Sequence, residues 1–336
     1  MSSVKSWAIR VVLIAVLAVF GGACSTPSTP TPPPPPPPPP AAPPTLSCVE
    51  GISRATVNAT GIAVTYDTPT VTGGQGTVNV SCSPASGETF PIGTTPVQCT
   101  ATDSLSRTGT CAFGVTVSKL AQLSKTKFLA FGDSITAGEI TFPGSTASTP
   151  GTFGKLIIVP GSSYPAVLER TLIGRYSTQA QSISVANYGL GGEKTINARA
   201  RFFEALNIVR PEVVLLWHGH NDIPGGLDGA ASGAASEMRI MAAEARLRGM
   251  RVFIATMLPP RPGGNRTIAQ IFIDDYNNRM RALAASEGAV LVDIYNALRP
   301  EVTRYIGVDG LHPNEAGYIK IADVFFQAIQ ANFEVK

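Results

Sequence analysis

Short apolar runs alternate with longer amphipathic stretches over the last two-thirds of this 336-residue chain, and this alternation limits the fold more than any other feature. Strands that are joined through helices run parallel, and a parallel sheet is covered by helices on both faces. The sequence therefore predicts an α/β fold in which five parallel strands lie between two layers of helices. The predicted strands are 127–131, 182–187, 213–217, 251–256 and 289–293, and the predicted helices are 164–172, 194–207, 230–248, 271–287 and 315–331.

Four short polar motifs follow predicted strands or lie in the last loop before the C-terminal helix. In chain order they are Gly132-Asp133-Ser134, Asn187-Tyr188-Gly189-Leu190-Gly191-Gly192, Gly219-His220-Asn221-Asp222 and Asp309-Gly310-Leu311-His312. A parallel sheet binds its ligand beyond the carboxyl ends of its strands, so these motifs are expected to meet at one edge of the sheet.

Ser134 and His312 are the residues of these motifs that are best suited to nucleophilic chemistry. Ser134 follows a strand, which places its hydroxyl at a strand-to-helix turn. His312 is the candidate general base, because Asp309 lies three residues before it and a carboxylate there can orient one imidazole nitrogen. Asp133 is expected to shape the turn through hydrogen bonds to the backbone. Each motif alone is common in loops, so the prediction depends on their combination.

Together, and in this order, the four motifs resemble the blocks of the SGNH (GDSL-type) hydrolase family, named for its Ser, Gly, Asn and His. The resemblance extends over residues 127–333. It implies a flavodoxin-like three-layer α/β/α domain that acts as a serine esterase or lipase without a cofactor. It also implies that the backbone N–H groups of Ser134 and Gly192 and the side-chain amide of Asn221 stabilise an oxyanion. Gly191 takes the place of Gly192 if the loop is offset by one residue.

Two features near the motifs leave alternatives open. His218 and His220 form a His-x-His pair that can chelate zinc at a strand end. No further ligand cluster accompanies the pair, so no metal is expected. The long connection 139–163, which contains Phe142 and Phe153, is either a rim of the substrate pocket or a packed hairpin.

Residues 46–118 have a different pattern, with short β-branched runs between Gly, Pro and Asp residues. Closely spaced turn signals of this kind predict an all-β sandwich. The motifs between Val80 and Phe113 resemble the HYR (hyalin repeat) module, which implies an immunoglobulin-like fold associated with adhesion. The segment has no histidine and no grouped carboxylates, so it is either a spacer or a module that binds a surface ligand.

The four cysteines of this segment are expected to form two disulfides, because an even, clustered set is typical of exported modules. Of the three pairings that the sequence leaves open, we favour Cys48 with Cys111 and Cys82 with Cys99. The chain after Ser124 has no cysteine, so its chemistry uses no thiol.

The N-terminal residues predict export. Lys5 and Arg10 precede an apolar run that ends at Ala23, which is too short to span a bilayer and is typical of a signal peptide. Cys24 follows small residues as in a bacterial lipobox, so its lipidation is expected to anchor the protein; an ordinary secretory signal is the alternative. Residues 25–44 contain only Ser, Thr, Pro and Ala. Such a run forms a polyproline II spacer, with recognition by an aromatic-lined groove as the alternative.

The predicted organisation is a signal peptide (1–23), a Pro-rich tether (24–45), the β-sandwich (46–118), a linker (119–126) and the hydrolase domain (127–336). The formal net charge is +3, and two of the basic residues lie in the predicted signal peptide, so no nucleic-acid surface is expected. The leading hypothesis is a cell-envelope serine esterase whose substrate is a lipid, an acetylated glycan or an aryl ester. The alternative is an adhesion lipoprotein in which the HYR-like module acts and the hydrolase domain is inactive.

Overall fold

A computed structural model describes residues 35–141, 156–159, 161–224 and 229–335. The predicted signal peptide and Cys24 lie outside these ranges, as do Phe142 and Phe153 of the long connection. None of the helices in the described ranges combines the length and hydropathy that crossing a bilayer requires.

The strands of the N-terminal module are β1 (Thr45–Ser47), β2 (Ile52–Thr56), β3 (Ile62–Ala63), β4 (Thr70–Thr72), β5 (Asn79–Ser83), β6 (Thr89–Phe90), β7 (Gly93–Thr102) and β8 (Thr108–Lys119). They form one four-stranded sheet, of order β2-β8-β7-β5, and two short antiparallel pairs, β1 with β4 and β3 with β6. Alternate residues of β8, namely Phe113, Val115 and Val117, are buried, as the period of two along a strand requires. This is the predicted small immunoglobulin-like β-sandwich.

Two disulfides crosslink this module. Cys48 is joined to Cys111, with a Cα–Cα distance of 5.7 Å, and Cys82 is joined to Cys99, with 4.1 Å. Cys82 and Cys99 are direct neighbours across β5 and β7. These are the two pairs that the sequence analysis favours.

The C-terminal domain alternates strands and helices along the chain. Its strands are β9 (Lys127–Gly132), β10 (Glu139–Thr141), β11 (Leu156–Ile158), β12 (Ser184–Gly189), β13 (Val213–Trp217), β14 (Arg251–Ala255) and β15 (Val290–Val292). Its helices are α1 (Ser134–Ala137), α2 (Tyr164–Arg175), α3 (Thr195–Val209), α4 (Ala230–Leu247), α5 (Gln270–Glu287), α6 (Ile294–Leu298), α7 (Val302–Tyr305) and α8 (Glu315–Phe333).

Five of these strands form one parallel sheet in the order β12-β9-β13-β14-β15. This is the flavodoxin-like order. In this domain the chain begins with β9, adds β12 on one side of it and then adds β13, β14 and β15 on the other side, so the winding reverses between β9 and β13. The switch point therefore lies between the carboxyl ends of β9 and β13, and ligands of such folds bind in the crevice outside it.

Helices cover both faces of the sheet. Phe128 and Ala130 of β9 pack in the core formed with α2 and α8, whereas Leu129 and Phe131 pack in the core formed with α3, α4 and α5. All four side chains are fully buried, and burial of a large apolar side chain stabilises the fold by about 1.5–3 kcal/mol. The strand is apolar on both faces for this reason, as the sequence pattern predicts.

The predicted linker 119–126 is packed against the C-terminal domain. Leu123 is buried, its N–H donates to Gln179 Oε1 at 2.7 Å, and its carbonyl accepts from Gln179 Nε2 at 2.9 Å. The Ser124 N–H donates to the carbonyl of Phe333 at 2.9 Å. Leu123 and Ser124 of this segment are therefore attached to the C-terminal domain.

The described ends of the long connection 139–163 form an antiparallel hairpin of β10 and β11. Ile140 is buried, Ile157 packs against the core, and the Tyr318 hydroxyl donates to the Glu139 carbonyl at 2.7 Å. These residues match the packed-hairpin alternative.

Candidate active site

Ser134 is the first residue of α1 and follows β9 after one intervening residue, Asp133. The carboxylate of Asp133 caps the helix, with Oδ1 accepting the Ile135 N–H at 3.1 Å, so it shapes the turn as the sequence predicts. Gly132 allows β9 to approach β13 closely, because a Cβ atom there would lie 2.1 Å from the Trp217 carbonyl oxygen. The turn thus places the Ser134 hydroxyl beyond the carboxyl end of β9.

His312 and Asp309 form a hydrogen-bonded line with Ser134. His312 Nε2 lies 3.0 Å from Ser134 Oγ, and His312 Nδ1 lies 2.6 Å from Asp309 Oδ2. Asp309 Oδ1 also accepts the backbone N–H groups of Leu311 and His312, both at 3.0 Å. Burial raises the pKa of Asp309, but its hydrogen bonds and the charge of His312 hold that pKa below the usual value. An ionised carboxylate at Nδ1 leaves Nε2 as the acceptor for the serine proton.

The loop 259–267 supports the loop that carries His312. The Arg266 N–H donates to the Asp309 carbonyl at 2.7 Å, and Arg261 Nη1 donates to the carbonyl of Ile306 at 2.6 Å. Gly264 lies so close that a Cβ atom there would be 2.3 Å from the Asp309 carbonyl carbon and from the Gly310 nitrogen. This loop therefore acts as a buttress behind Asp309.

The loops after β12, β9 and β13 leave the sheet side by side. Gly189 and Trp217 are both register partners of Gly132, so the three strands end at the same level. The residues to which the resemblance assigns the oxyanion follow within a few positions: Ser134, Gly192 and Asn221.

Gly191 and Gly192 differ in their surroundings. A Cβ atom on Gly191 would lie 2.0 Å from Glu139 Oε1, so this glycine packs against the β10 strand. Gly192 has φ +74°, in the left-handed region that favours glycine, and open space surrounds its Cβ position. Of the two, Gly192 is the residue that faces open space.

The side-chain amide of Asn221 bonds to the loop that carries Gly192. Asn221 Nδ2 donates to the carbonyl oxygen of Glu193 at 3.0 Å. A primary amide carries two N–H groups, so a second one is left for another acceptor. The oxyanion roles of Ser134, Gly192 and Asn221 stay a prediction.

A buried carboxylate, which the sequence analysis missed, lies directly after Gly192. Glu193 Oε1 accepts from Arg201 Nε at 2.9 Å, Arg201 Nη2 bonds Oε2, and His218 Nε2 lies 3.0 Å from Oε2. His218 Nδ1 accepts the Gly219 N–H at 2.9 Å, which leaves Nε2 as the protonated nitrogen. Burial raises the pKa of Glu193, but the bonds from His218 and Arg201 lower it to about 2, so the carboxylate is ionised.

The second histidine of the third motif contacts the turn that carries Ser134. Asp133 Oδ2 accepts the His220 backbone N–H at 3.2 Å and lies 3.0 Å from His220 Nδ1. Burial raises the pKa of Asp133, but its interactions with His220, His218 and the Ile135 N–H lower it to about 2.

The two histidines of the His-x-His pair form side-chain hydrogen bonds to different carboxylates, and His218 Nδ1 also lies 3.9 Å from Asp133 Oδ2. His218 faces Glu193 and His220 faces Asp133, while the Nε2 atom of His220 is buried with no hydrogen-bond partner among the described residues. Among all the residues that the structure describes, no group of three or more His, Cys, Asp and Glu side chains is arranged to hold a metal ion.

The chain is similar to several solved structures. A lipase/acylhydrolase from Enterococcus faecalis is 20% identical, with a TM-score of 0.51 over 63% of this chain and 98% of that one. LAE5, an alpha/beta hydrolase enzyme from the metagenome of Lake Arreo, Spain, is 25% identical over 62% of this chain and 96% of its own, with a TM-score of 0.49. Axe2, an acetylxylan esterase from Geobacillus stearothermophilus, is 21% identical over 62% and 94%, with a TM-score of 0.47. No curated protein matches the sequence significantly.

Two protein families match separate parts of the chain. The HYR domain matches residues 40–117, the disulfide-linked β-sandwich. The GDSL-like lipase/acylhydrolase family matches residues 130–319, more than half of the chain and all four polar motifs. The chain therefore belongs to the GDSL-like lipase/acylhydrolase family and is a carboxylic ester hydrolase with an N-terminal HYR domain.

Proposed function

We propose that the protein is an exported serine esterase that hydrolyses carboxylic esters through an acyl-enzyme on Ser134. The observation that carries this proposal is the line of 3.0 Å and 2.6 Å hydrogen bonds from Ser134 through His312 to Asp309. A hydroxyl, an imidazole and a buried carboxylate in this order are the parts of a serine nucleophile with its base and its orienting group.

In the first half of the reaction Ser134 Oγ attacks the ester carbonyl carbon, and His312 Nε2 accepts the hydroxyl proton. Asp309 stabilises the imidazolium that forms, because its carboxylate is bonded to Nδ1. When the tetrahedral intermediate collapses, the C–O bond to the alcohol breaks and Nε2 returns its proton to that oxygen. The acyl group stays on Ser134.

In the second half a water molecule attacks the acyl carbon, and His312 Nε2 takes its proton. The bond to Ser134 Oγ then breaks, the carboxylic acid leaves and Nε2 returns the proton to the serine. The reaction needs no cofactor, because one imidazole serves as base and acid in both halves.

Negative charge develops on the carbonyl oxygen in both halves. We assign its stabilisation to the backbone N–H groups of Ser134 and Gly192 and to the Asn221 amide. Three observations support this assignment: the common level at which β9, β12 and β13 end, the open space beside Gly192, and the second N–H of the Asn221 amide.

The location and the domain roles belong to the same proposal. Residues 1–23 direct export, Cys24 carries a lipid anchor, and residues 24–45 form the tether that precedes the HYR module. Two disulfides in the module support export, because such crosslinks persist in oxidising compartments. The substrate is an ester of a lipid, a glycan or an aryl alcohol in the cell envelope or outside it, and the HYR module offers a site for a surface ligand.

Turnover of p-nitrophenyl acetate by the mature protein, together with fluorophosphonate labelling, tests the proposal. Ser134→Ala should lower kcat at least about a thousandfold, because residues of such a unit each account for losses of this order or more. Ser182→Ala, at a serine whose hydroxyl bonds only the Gln179 carbonyl in a distant turn, should retain activity. Label should appear on Ser134 alone. Absence of both turnover and labelling in the wild type would favour the adhesion hypothesis instead.

A further inference from the structure

The position of Gly192 is not fixed by its own packing. It has φ +74°, and no described atom beyond its two chain neighbours lies within 4 Å of the place that a Cβ atom would occupy. An oxyanion donor, by contrast, has to be held in place before the reaction, since a displacement of about 1 Å can cost a hundredfold in rate. The residues beside Gly192 must therefore supply the constraint.

Glu193 provides two such constraints. Its carbonyl oxygen is bonded to the Asn221 amide at 3.0 Å, and its carboxylate is bonded to Arg201 Nε at 2.9 Å and to His218 Nε2 at 3.0 Å. Main chain and side chain are thus fixed independently, directly after Gly192.

Arg201 connects this carboxylate to the strand ends. Its Nη1 donates to the Tyr188 carbonyl at 2.8 Å, and its Nη2 donates to the Gly132 carbonyl at 3.2 Å. Its guanidinium also lies over the Phe131 ring, 4.1 Å from the ring centroid. One side chain of α3 therefore holds the end of β9, the end of β12 and Glu193 at fixed separations.

His218 completes the connection on the third strand. It follows β13 directly, and its ring lies between the Gly219 N–H and the carboxylate of Glu193. The cluster of Glu193, Arg201 and His218 consequently touches all three loops that carry the assigned oxyanion donors.

We propose that Glu193 is a positioning residue of the oxyanion hole, which fixes Gly192 and the Asn221 amide relative to the Ser134 turn. The inference rests on the proposed function of this site. None of the described hydrogen bonds of Glu193 reaches the hydroxyl of Ser134 or the ring of His312, so it acts through the donors and not on the reacting atoms. Its removal should weaken transition-state binding while the ground-state complex, which carries no oxyanion, changes little.

A second ion pair on the same helix offers a matched control. Arg199 of α3 bonds Glu237 of α4 through Nε at 2.9 Å and Nη2 at 2.5 Å. This pair has a similar paired geometry and lies two residues from Arg201, but its described hydrogen bonds reach none of the three loops. If an Arg–Glu pair on this helix only stabilises the fold, the loss of either pair should therefore have the same effect on the enzyme.

The experiment compares Glu193→Gln with Glu237→Gln. Glutamine keeps the volume but replaces one acceptor oxygen with a donor, so Arg201 and His218 can no longer both be satisfied. We expect kcat for p-nitrophenyl acetate to fall tenfold to a hundredfold in Glu193→Gln, with KM within about twofold of the wild type. The rate of fluorophosphonate labelling at Ser134 should fall in parallel, and Glu237→Gln should keep the wild-type values.

A second pair of variants covers the case in which Glu193→Gln does not fold. Arg201→Lys keeps the charge but loses the fork that reaches Glu193 and two carbonyls at once. It should lower kcat with KM little changed, while Arg199→Lys should not. If the wild type is active and each variant has the same kcat as its control, the positioning role of Glu193 is overturned while the proposed function stands. A wild type without turnover or labelling would overturn it together with the proposed function.

Discussion

Asp133 is a residue whose charge joins two parts of the site. Its carboxylate caps the turn of Ser134 through the Ile135 N–H and binds the backbone and ring of His220. Although the side chain is fully buried, these interactions lower its pKa from 3.8 to about 2. The ionised carboxylate of Asp133 therefore stabilises the folded protein. This stabilisation, on the order of 2 kcal/mol, is present above pH ~4 and is lost as pH falls toward 2.

This linkage predicts how Asp133→Asn behaves in acid. At pH 7 the variant should be less stable than the wild type, because one amide oxygen cannot accept all the bonds of a carboxylate. The difference in Tm should narrow as pH falls from about 5 to 3, since only the wild type loses ionic stabilisation there. Thermal unfolding over this range measures it. A pH-independent difference between Asp133→Asn and the wild type would contradict the linkage.

Sequence reasoning at this scale identifies residues that occur in recognisable motifs, and it misses those that only the fold brings together. Ser134, Asp309 and His312 are visible because each has a fixed spacing to its neighbours. Glu193 and Arg201 are eight residues apart and meet because α3 folds back over the end of β12. The one available signal was the position of Glu193 directly after a glycine with an assigned role.

At the scale of elements, the loop 259–267 determines where Asp309 lies. Gly264→Ala should lower kcat at least tenfold, because the new Cβ atom would lie 2.3 Å from the Asp309 backbone and must displace the loop of His312. Gly263→Ala is the matched control, since Gly263 has φ +82° but no atom within 4 Å of its Cβ position. It should cost about 1 kcal/mol of stability from backbone strain and little activity. Similar kcat values for the two variants would show that the buttress does not position Asp309.

The strands of the sheet and the long helices of this protein follow from its sequence, whereas the short helices do not. The five strands and the five long helices lie within a few residues of their predicted bounds, because the strands are nearly continuous apolar runs and the helices have an apolar period that extends over several turns. Helices α1, α6 and α7 have four or five residues, which is too short for a period to appear. They depend on local caps, such as the Asp293 carboxylate that accepts the Asn296 N–H at 3.2 Å.

At the scale of the whole molecule, the disulfides and the proposed catalytic groups lie in separate domains. Both crosslinks are within the HYR module, and the longer one closes a loop with a sequence separation of 63, for which a stabilisation of about 4 kcal/mol is typical. A reducing agent should lower the Tm of the module and leave ester hydrolysis nearly unchanged. Calorimetry and p-nitrophenyl acetate turnover with and without reductant measure the two effects. Activity lost in step with reduction would mean that the module holds the hydrolase domain in its active form.

In the proposed location, the attachment of the protein to a membrane depends on one residue, Cys24. If Cys24 carries acyl chains, the mature protein should partition with membranes and be released only by detergent, because each buried CH₂ contributes about 0.8 kcal/mol and two chains anchor stably. Cys24→Ser should block lipidation, so any protein that is still exported should be soluble. A polyproline tether, which the composition of residues 25–44 predicts, would then hold the enzyme up to about 60 Å from the bilayer. That separation favours esters of the envelope or the surroundings over the anchoring lipids. Wild-type protein found wholly in the soluble secreted fraction would replace the anchor with an ordinary signal peptide.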